Sequence, residues 1–143
     1  MPDILHDFPV HAPLERVFDA LATAQGLDAW WTLRARGDVH VGAIWELNFG
    51  EGYDWRGVVS RTEFGRLIEW TIRLSDADWN GTRVGAALTP IDGGTHVRFW
   101  HEGWPEANAH YRTSAFCWAM YLRLLKKYVE TGEVVPYARR LEA

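Results

Sequence analysis

Residues 105–132 read PEANAHYRTSAFCWAMYLRLLKKYVETG. Within them Tyr111, Ala115, Trp118, Leu122, Leu125 and Val129 recur at steps of three and four, which puts them on one face of a helix. Pro105 suits a first helical turn, Lys126 and Lys127 suit the negative end of the macrodipole, and Gly132 suits a left-handed stop. Projected around the axis, apolar side chains run from Leu124 and Cys117 through Tyr128, Tyr121, Leu125, Trp118 and Val129 to Leu122 and Ala115. That arc is about half the circumference, wider than the ~100° stripe of a helix lying on one neighbour. The spacing therefore predicts a long helix that a curved sheet partly wraps.

Upstream of it, the chain supplies such a sheet. Ile4, His6, Phe8 and Val10 alternate with Leu5, Asp7 and Pro9, as in a strand. The period then changes. Leu14, Val17, Phe18 and Leu21 fall at helical steps after Pro13, and Thr23 can cap a second short helix over 24–31, broken at its middle by Gly26. Strands are expected at 44–49, 53–62, 66–74, 82–90 and 95–103, with turns at Gly50-Glu51-Gly52, Glu63-Phe64-Gly65 and Asp92-Gly93-Gly94. Asn80-Gly81 is the strongest hairpin dipeptide. A further short strand is expected near 38–41. The order β-α-α-β(5-6)-α, in a single domain spanning 1–143, predicts an α+β fold: an antiparallel sheet of six to seven strands around the last helix.

Composition narrows the function classes. A net charge of −4 over 143 residues offers no basic field for nucleic acid or an anionic membrane surface. No apolar run approaches the ~18 residues of a membrane span. The opening MPDILHDFPV has neither the basic head nor the apolar run of a secretory signal, so a cytoplasmic location is expected. The single Cys117 has no partner for an internal disulfide and lies between Phe116 and Trp118, which suits a structural thiol. His6, His11, His40, His96, His101 and His110 form no metal-ligand spacing, and there is no phosphate loop, dinucleotide fingerprint or nucleophile elbow, so no metal or cofactor is expected. The outlying figure is nine Trp beside six Phe and five Tyr. A buried indole needs a partner for its N–H, so many indoles in a small domain imply either that several are partly exposed or that they line an internal space with polar groups in it.

The elements and their residues together resemble the SRPBCC superfamily. That is the helix-grip fold of START lipid-transfer domains, the birch pollen allergen family and polyketide cyclases. The resemblance is nearest to the branch of the C-terminal domain of the heat-shock-protein ATPase activator (AHSA-like). It is carried by FPVHAPLERVFDAL (8–21), LDAWW (27–31), Gly57-Val58-Val59 with Arg66-Leu67-Ile68 and Trp70, THVRF (95–99), and Trp118, Leu122, Leu125 and Gly132. It covers essentially the whole chain and rests on order and spacing. It implies a seven-stranded antiparallel sheet gripping the last helix, with a deep pocket between the two. It implies no single chemistry, because function resides in the site and not in the fold.

Strand parity sorts the side chains around such a pocket. Expected inward are Trp45, Leu47 and Phe49; Trp55, Gly57 and Val59; Ile68, Trp70 and Ile72; Val84, Ala86 and Leu88; Val97, Phe99 and His101. Tyr111, Ser114, Ala115, Trp118 and Leu122 face them from the helix. Gly57, Ala86, Ser114 and Ala115 leave space beside large rings. Arg56, Glu69, Arg98, Glu102, Glu46 and Asn48 fall on the other, solvated face. In the family the region of Trp30 and Trp31 roofs the cavity, so one ring should point in and the other pack outward. The expected ligand-binding set is Trp31, Trp45, Trp55, Trp70, Phe99, His101, Tyr111, Trp118 and Leu122, with His110 beside Tyr111 at the entrance.

The function these readings favour is binding of a small hydrophobic or planar molecule. One alternative is a cyclase-like or hydratase-like enzyme in the same pocket, with His101 and Tyr111 as acid–base candidates. Another, implied by the resemblance, is a co-chaperone-like interaction module. Phe116 and Met120 lie one turn apart on the polar side of the long helix, and mark a contact for a homodimer.

Overall fold

The computed structural model describes residues 2–142. Its elements are β1 (Ile4–Val10), α1 (Leu14–Ala22), α2 (Ala24–Trp30), β2 (Arg34–Arg36), β3 (Ile44–Asn48), β4 (Asp54–Glu63), β5 (Leu67–Leu74), β6 (Arg83–Ile91), β7 (Gly94–Glu102), α3 (Ala109–Thr131) and a short 3-10 helix (Tyr137–Glu142). The strands form one antiparallel sheet in the order β1-β7-β6-β5-β4-β3-β2. Strands β2 to β7 are a meander. Strand β1 joins the far edge, and α1 and α2 cross between the two edges. Two register shifts in the β4–β5 pair add to the bend of the sheet.

Period two sets the inner face. Trp45, Leu47, Val59, Ile68, Trp70, Ile72, Val84, Ala86, Leu88, Val97, Phe99 and His101 are all buried, as parity predicts. Helix α3 lies on this face and buries Ser114, Trp118, Leu122, Leu124, Leu125 and Val129. Burying side chains of this size removes large apolar area from water, at about 25 cal/mol per Å².

Several boundaries differ from the sequence reading. Helix α3 starts at Ala109, where the Asn108 side chain accepts from Tyr111 N, and Pro105 stays in the preceding loop. Gly132 does end α3 in the left-handed region, at φ 80°. Lys126 and Lys127 lie before the last turn and pair with Glu130 and Glu133. The early short strand is Arg34–Arg36, not 38–41, and it pairs with β3. Gly26 does not break α2. A Cβ there would stand 2.3 Å from Asp19 O, so glycine lets α2 lie directly on the backbone of α1.

Asn80-Gly81 is not a two-residue hairpin. It closes a longer loop between β5 and β6, where Gly81 N donates to Ile72 O and Ile72 N donates to Thr82 O.

Glu69 is a second correction. Parity does put it on the outer face, but it is only 2% exposed. Register aligns Glu69, Gly85 and Trp100 across β5, β6 and β7. The Trp100 ring lies flat on Gly85, where a Cβ would come within 2.7 Å of it, and Trp100 Nε1 donates to Glu69 Oε2 at 2.9 Å. Ser60 and Arg61 donate to the same carboxylate. Burial pushes this carboxyl up, but the hydrogen bonds from Arg61, Ser60 and Trp100 outweigh burial and hold it below the ordinary range.

Candidate ligand-binding cleft

Between α3 and the β3–β4 end of the sheet lies a cleft of about 380 Å³. Five of the aromatic rings that line it touch one another in a cycle. Trp31 meets Phe49 at 5.3 Å between centroids, Phe49 meets Trp55 at 4.9 Å, and Trp55 meets Trp79 at 4.9 Å. Trp79 meets Trp118 at 5.8 Å, and Trp118 returns to Trp31 at 5.1 Å. Most of these pairs are tilted or edge-to-face, the arrangement the ring quadrupole favours.

Each ring is positioned by a different element. Trp31 caps the end of α2, where Trp31 N donates to Leu27 O. Phe49 and Trp55 flank the β3–β4 turn, and Trp118 comes from the middle of α3. Trp79 comes from the loop before β6. There Trp79 N donates to Asp76 O and both polar groups of Thr82 donate to Trp79 O, which folds the ring inward to 7% exposure. The tail after α3 supplies Tyr137, whose hydroxyl donates to Phe49 O at 2.8 Å. Arg140, 2% exposed, secures this tail by donating to Asp28 O, Thr32 O and Val135 O.

Behind the rings runs a directed chain of hydrogen bonds. Trp118 Nε1 can only donate, so His101 Nδ1 accepts from it at 3.1 Å. The proton of the neutral ring is then on Nε2, which donates to Thr82 Oγ1 at 2.8 Å, and Thr82 Oγ1 passes its own proton to Trp79 O. Burial, then the nearby His110 charge, lowers the His101 pKa to about 3. His101 is a neutral strut that fixes two of the five rings.

At the mouth, His110 Nδ1 donates to Asp78 Oδ2 at 3.0 Å. Asn108 Nδ2 donates to the same oxygen at 3.3 Å while its Oδ1 caps α3. The hydrogen bonds from His110 and Asn108 hold the Asp78 carboxyl below its usual range. Thr113, Ser114, Cys117 and Tyr121 complete the α3 side. Burial pushes the Tyr121 and Tyr137 phenols up, so both are hydrogen-bond donors at neutral pH.

Of the nine residues expected from sequence, Trp31, Trp55 and Trp118 line the cleft. Trp45, Trp70, Phe99, Leu122 and His101 are core residues beneath it. Trp45 Nε1 donates to Asp38 O, and Phe99 supports Trp118 from behind at 4.6 Å. Tyr111 donates its hydroxyl to Asp3 O at 2.7 Å and packs edge-on to Trp104. Trp30 does not pack outward. It is buried, with its Nε1 on Ala20 O and its ring stacked on Trp31.

Of the small residues, only Ser114 lines the cleft. Gly57 is tight against Trp70, with 3.3 Å from a built Cβ to the Trp70 Cβ, so its smallness serves packing. Sequence reasoning missed Trp79, Asp76, Tyr53, Thr113 and Tyr137. Trp79, Asp76 and Tyr137 lie in turns or in the tail, where no periodicity assigns a face, and Tyr53 shares the inward parity of Trp55 but lies just before β4. The one available signal was an indole beside the Asn80-Gly81 turn. Among the described residues no helix is long and apolar enough to cross a membrane, and no cluster of His, Cys, Asp or Glu is placed to hold a metal ion.

Comparison with solved structures places this architecture among known ones. The chain is similar to the Aha1 dimer from Colwellia psychrerythraea, with 28% identity, a TM-score of 0.84, and coverage of 93% of this chain and 99% of that one. It is also similar to protein SSP2350 from Staphylococcus saprophyticus, with 20% identity, a TM-score of 0.80 and coverage of 94% and 96%. CalU16 from Micromonospora echinospora matches with 20% identity, a TM-score of 0.76 and coverage of 98% and 81%. No curated protein matches the sequence. The family model described as activator of Hsp90 ATPase homolog 1-like protein matches residues 11–130. With most of its length matched and its sheet wrapped around α3, the chain belongs to the activator of Hsp90 ATPase homolog 1-like family, within the SRPBCC type of fold.

Proposed function

We propose that the protein binds a small planar hydrophobic molecule in the cleft between the sheet and α3. The observation that carries this reading is the set of contacting rings, Trp31, Phe49, Trp55, Trp79 and Trp118, that lines an open volume of about 380 Å³. Close-packed interiors normally interdigitate such rings and leave no space between them. Here the His101–Thr82 strut fixes two of the rings, and flat apolar faces line the space that remains beside them. A planar aromatic guest stacks on such faces and displaces poorly bound water. Thr113, exposed on the α3 rim, gives a test that leaves the core intact. Thr113→Trp should weaken binding of 2-naphthol at least tenfold by tryptophan-fluorescence titration, with the melting temperature unchanged. Unchanged binding in that variant would count against the cleft.

A homodimer is the assembly we infer, through the α3 face that carries Phe116 and Met120. Phe116 is 78% exposed, and the Colwellia relative is a dimer. Light scattering at tens of micromolar should give twice the chain mass, and Phe116→Glu should return it to one.

A further inference from the structure

We infer that the molecule bound in the cleft carries an acidic hydroxyl, phenolic or enolic, which donates to Nε2 of His110. This rests on the cleft being the binding site. A carboxylate only accepts, so the 3.0 Å contact with Asp78 places the ring proton on Nδ1. With that proton on Nδ1, the neutral tautomer carries its lone pair on Nε2, and His110 lines the cleft. Two groups touch the ring, and a third orients one of them. Asp78 fixes one edge, Asn108 orients Asp78 while capping α3, and Trp104 packs edge-on at 5.4 Å. An imidazole lined up this way by a carboxylate is a pre-oriented acceptor.

The Asp76 carboxylate and the Thr113 and Ser114 hydroxyls also line the cleft, but only His110 is held there by a hydrogen bond to a second side chain that itself is fixed to the α3 cap. His101 has both nitrogens engaged, and the Tyr121 phenol is held protonated by burial and so can donate. The cleft thus combines flat apolar faces with an oriented imidazole at its mouth. A ring that carries an ionisable hydroxyl matches both.

Calorimetric titration of 2-naphthol and its methyl ether, 2-methoxynaphthalene, tests this. The two share a ring system, and only the first can donate. The intact protein should bind the naphthol roughly tenfold more tightly, the worth of one good hydrogen bond. His110→Leu should bring the two affinities together by weakening the naphthol and leaving the ether unchanged. Asp78→Ala should lose part of the preference, as expected of a positioning residue. Equal affinities in the intact protein, or a preference that survives His110→Leu, would overturn the inference while leaving the cleft in place. Binding of neither compound would overturn both.

Discussion

At the scale of single residues, His101 shows how burial decides chemistry. Strand parity turns it inward, and its two nitrogens are taken by Trp118 and Thr82. A pKa lowered to about 3 means that the folded protein holds the neutral ring. The unfolded chain takes up that proton first, near the ordinary value of about 6.5. Stability contributed by the neutral ring is therefore complete above about 6.5 and falls as the pH drops, by roughly 1.4 kcal/mol per pH unit, until about 3. Urea denaturation at pH 7, 5.5 and 4.5 should show this slope in the intact protein. His101→Gln, which keeps a donor and an acceptor, should remove most of it. Equal slopes in the two proteins would contradict the assignment. Glu69 carries a related lesson. Parity gave its face correctly but not its burial, because the group that covers it, Trp100, lies two strands away across Gly85. Alternation along one strand carries no information about a ring reaching in from another.

At the scale of elements, periodic segments were legible and aperiodic ones were not. Every inward residue expected on β5, β6 and β7 is buried, because a two-residue repeat leaves only two choices of face. The start of α3 was misplaced because Pro105 and Asn108 are both acceptable near a helix start, and only Asn108 makes the capping bond. The cleft depends most on the elements that sequence reads least well, the β5–β6 loop and the tail. Two predictions follow from how those elements are fastened. Arg140→Ala removes three hydrogen bonds to backbone carbonyls, the one to Thr32 buried and the other two part-buried, and should cost about 2–4 kcal/mol in chemical denaturation. It should also weaken 2-naphthol binding, since Tyr137 lies on the same tail. Gly26→Ala places a Cβ against the α1 backbone, which cannot yield as a side chain can. A loss of roughly 2 kcal/mol or more is expected, and a neutral result would mean that the two helices separate freely.

At the scale of the whole molecule, the nine indoles divide by task. Trp31, Trp55, Trp79 and Trp118 face the cleft. Trp30, Trp45 and Trp70 pack in the core, Trp104 packs beside His101, and Trp100 covers the outer face of the sheet. The resemblance to helix-grip proteins was readable from order and spacing over the whole chain. The division of labour among the indoles was not, since it depends on which rings meet in space. Nitrogen-15 correlation spectra resolve one indole N–H signal per tryptophan, so one titration reads all nine positions. On addition of 2-naphthol, the signals of Trp31, Trp55, Trp79 and Trp118 should shift together with one dissociation constant, while Trp30, Trp45, Trp70 and Trp100 stay in place. Saturating ligand with those four signals unmoved, or shifts spread evenly over all nine, would contradict an aromatic cleft held open between the sheet and its helix.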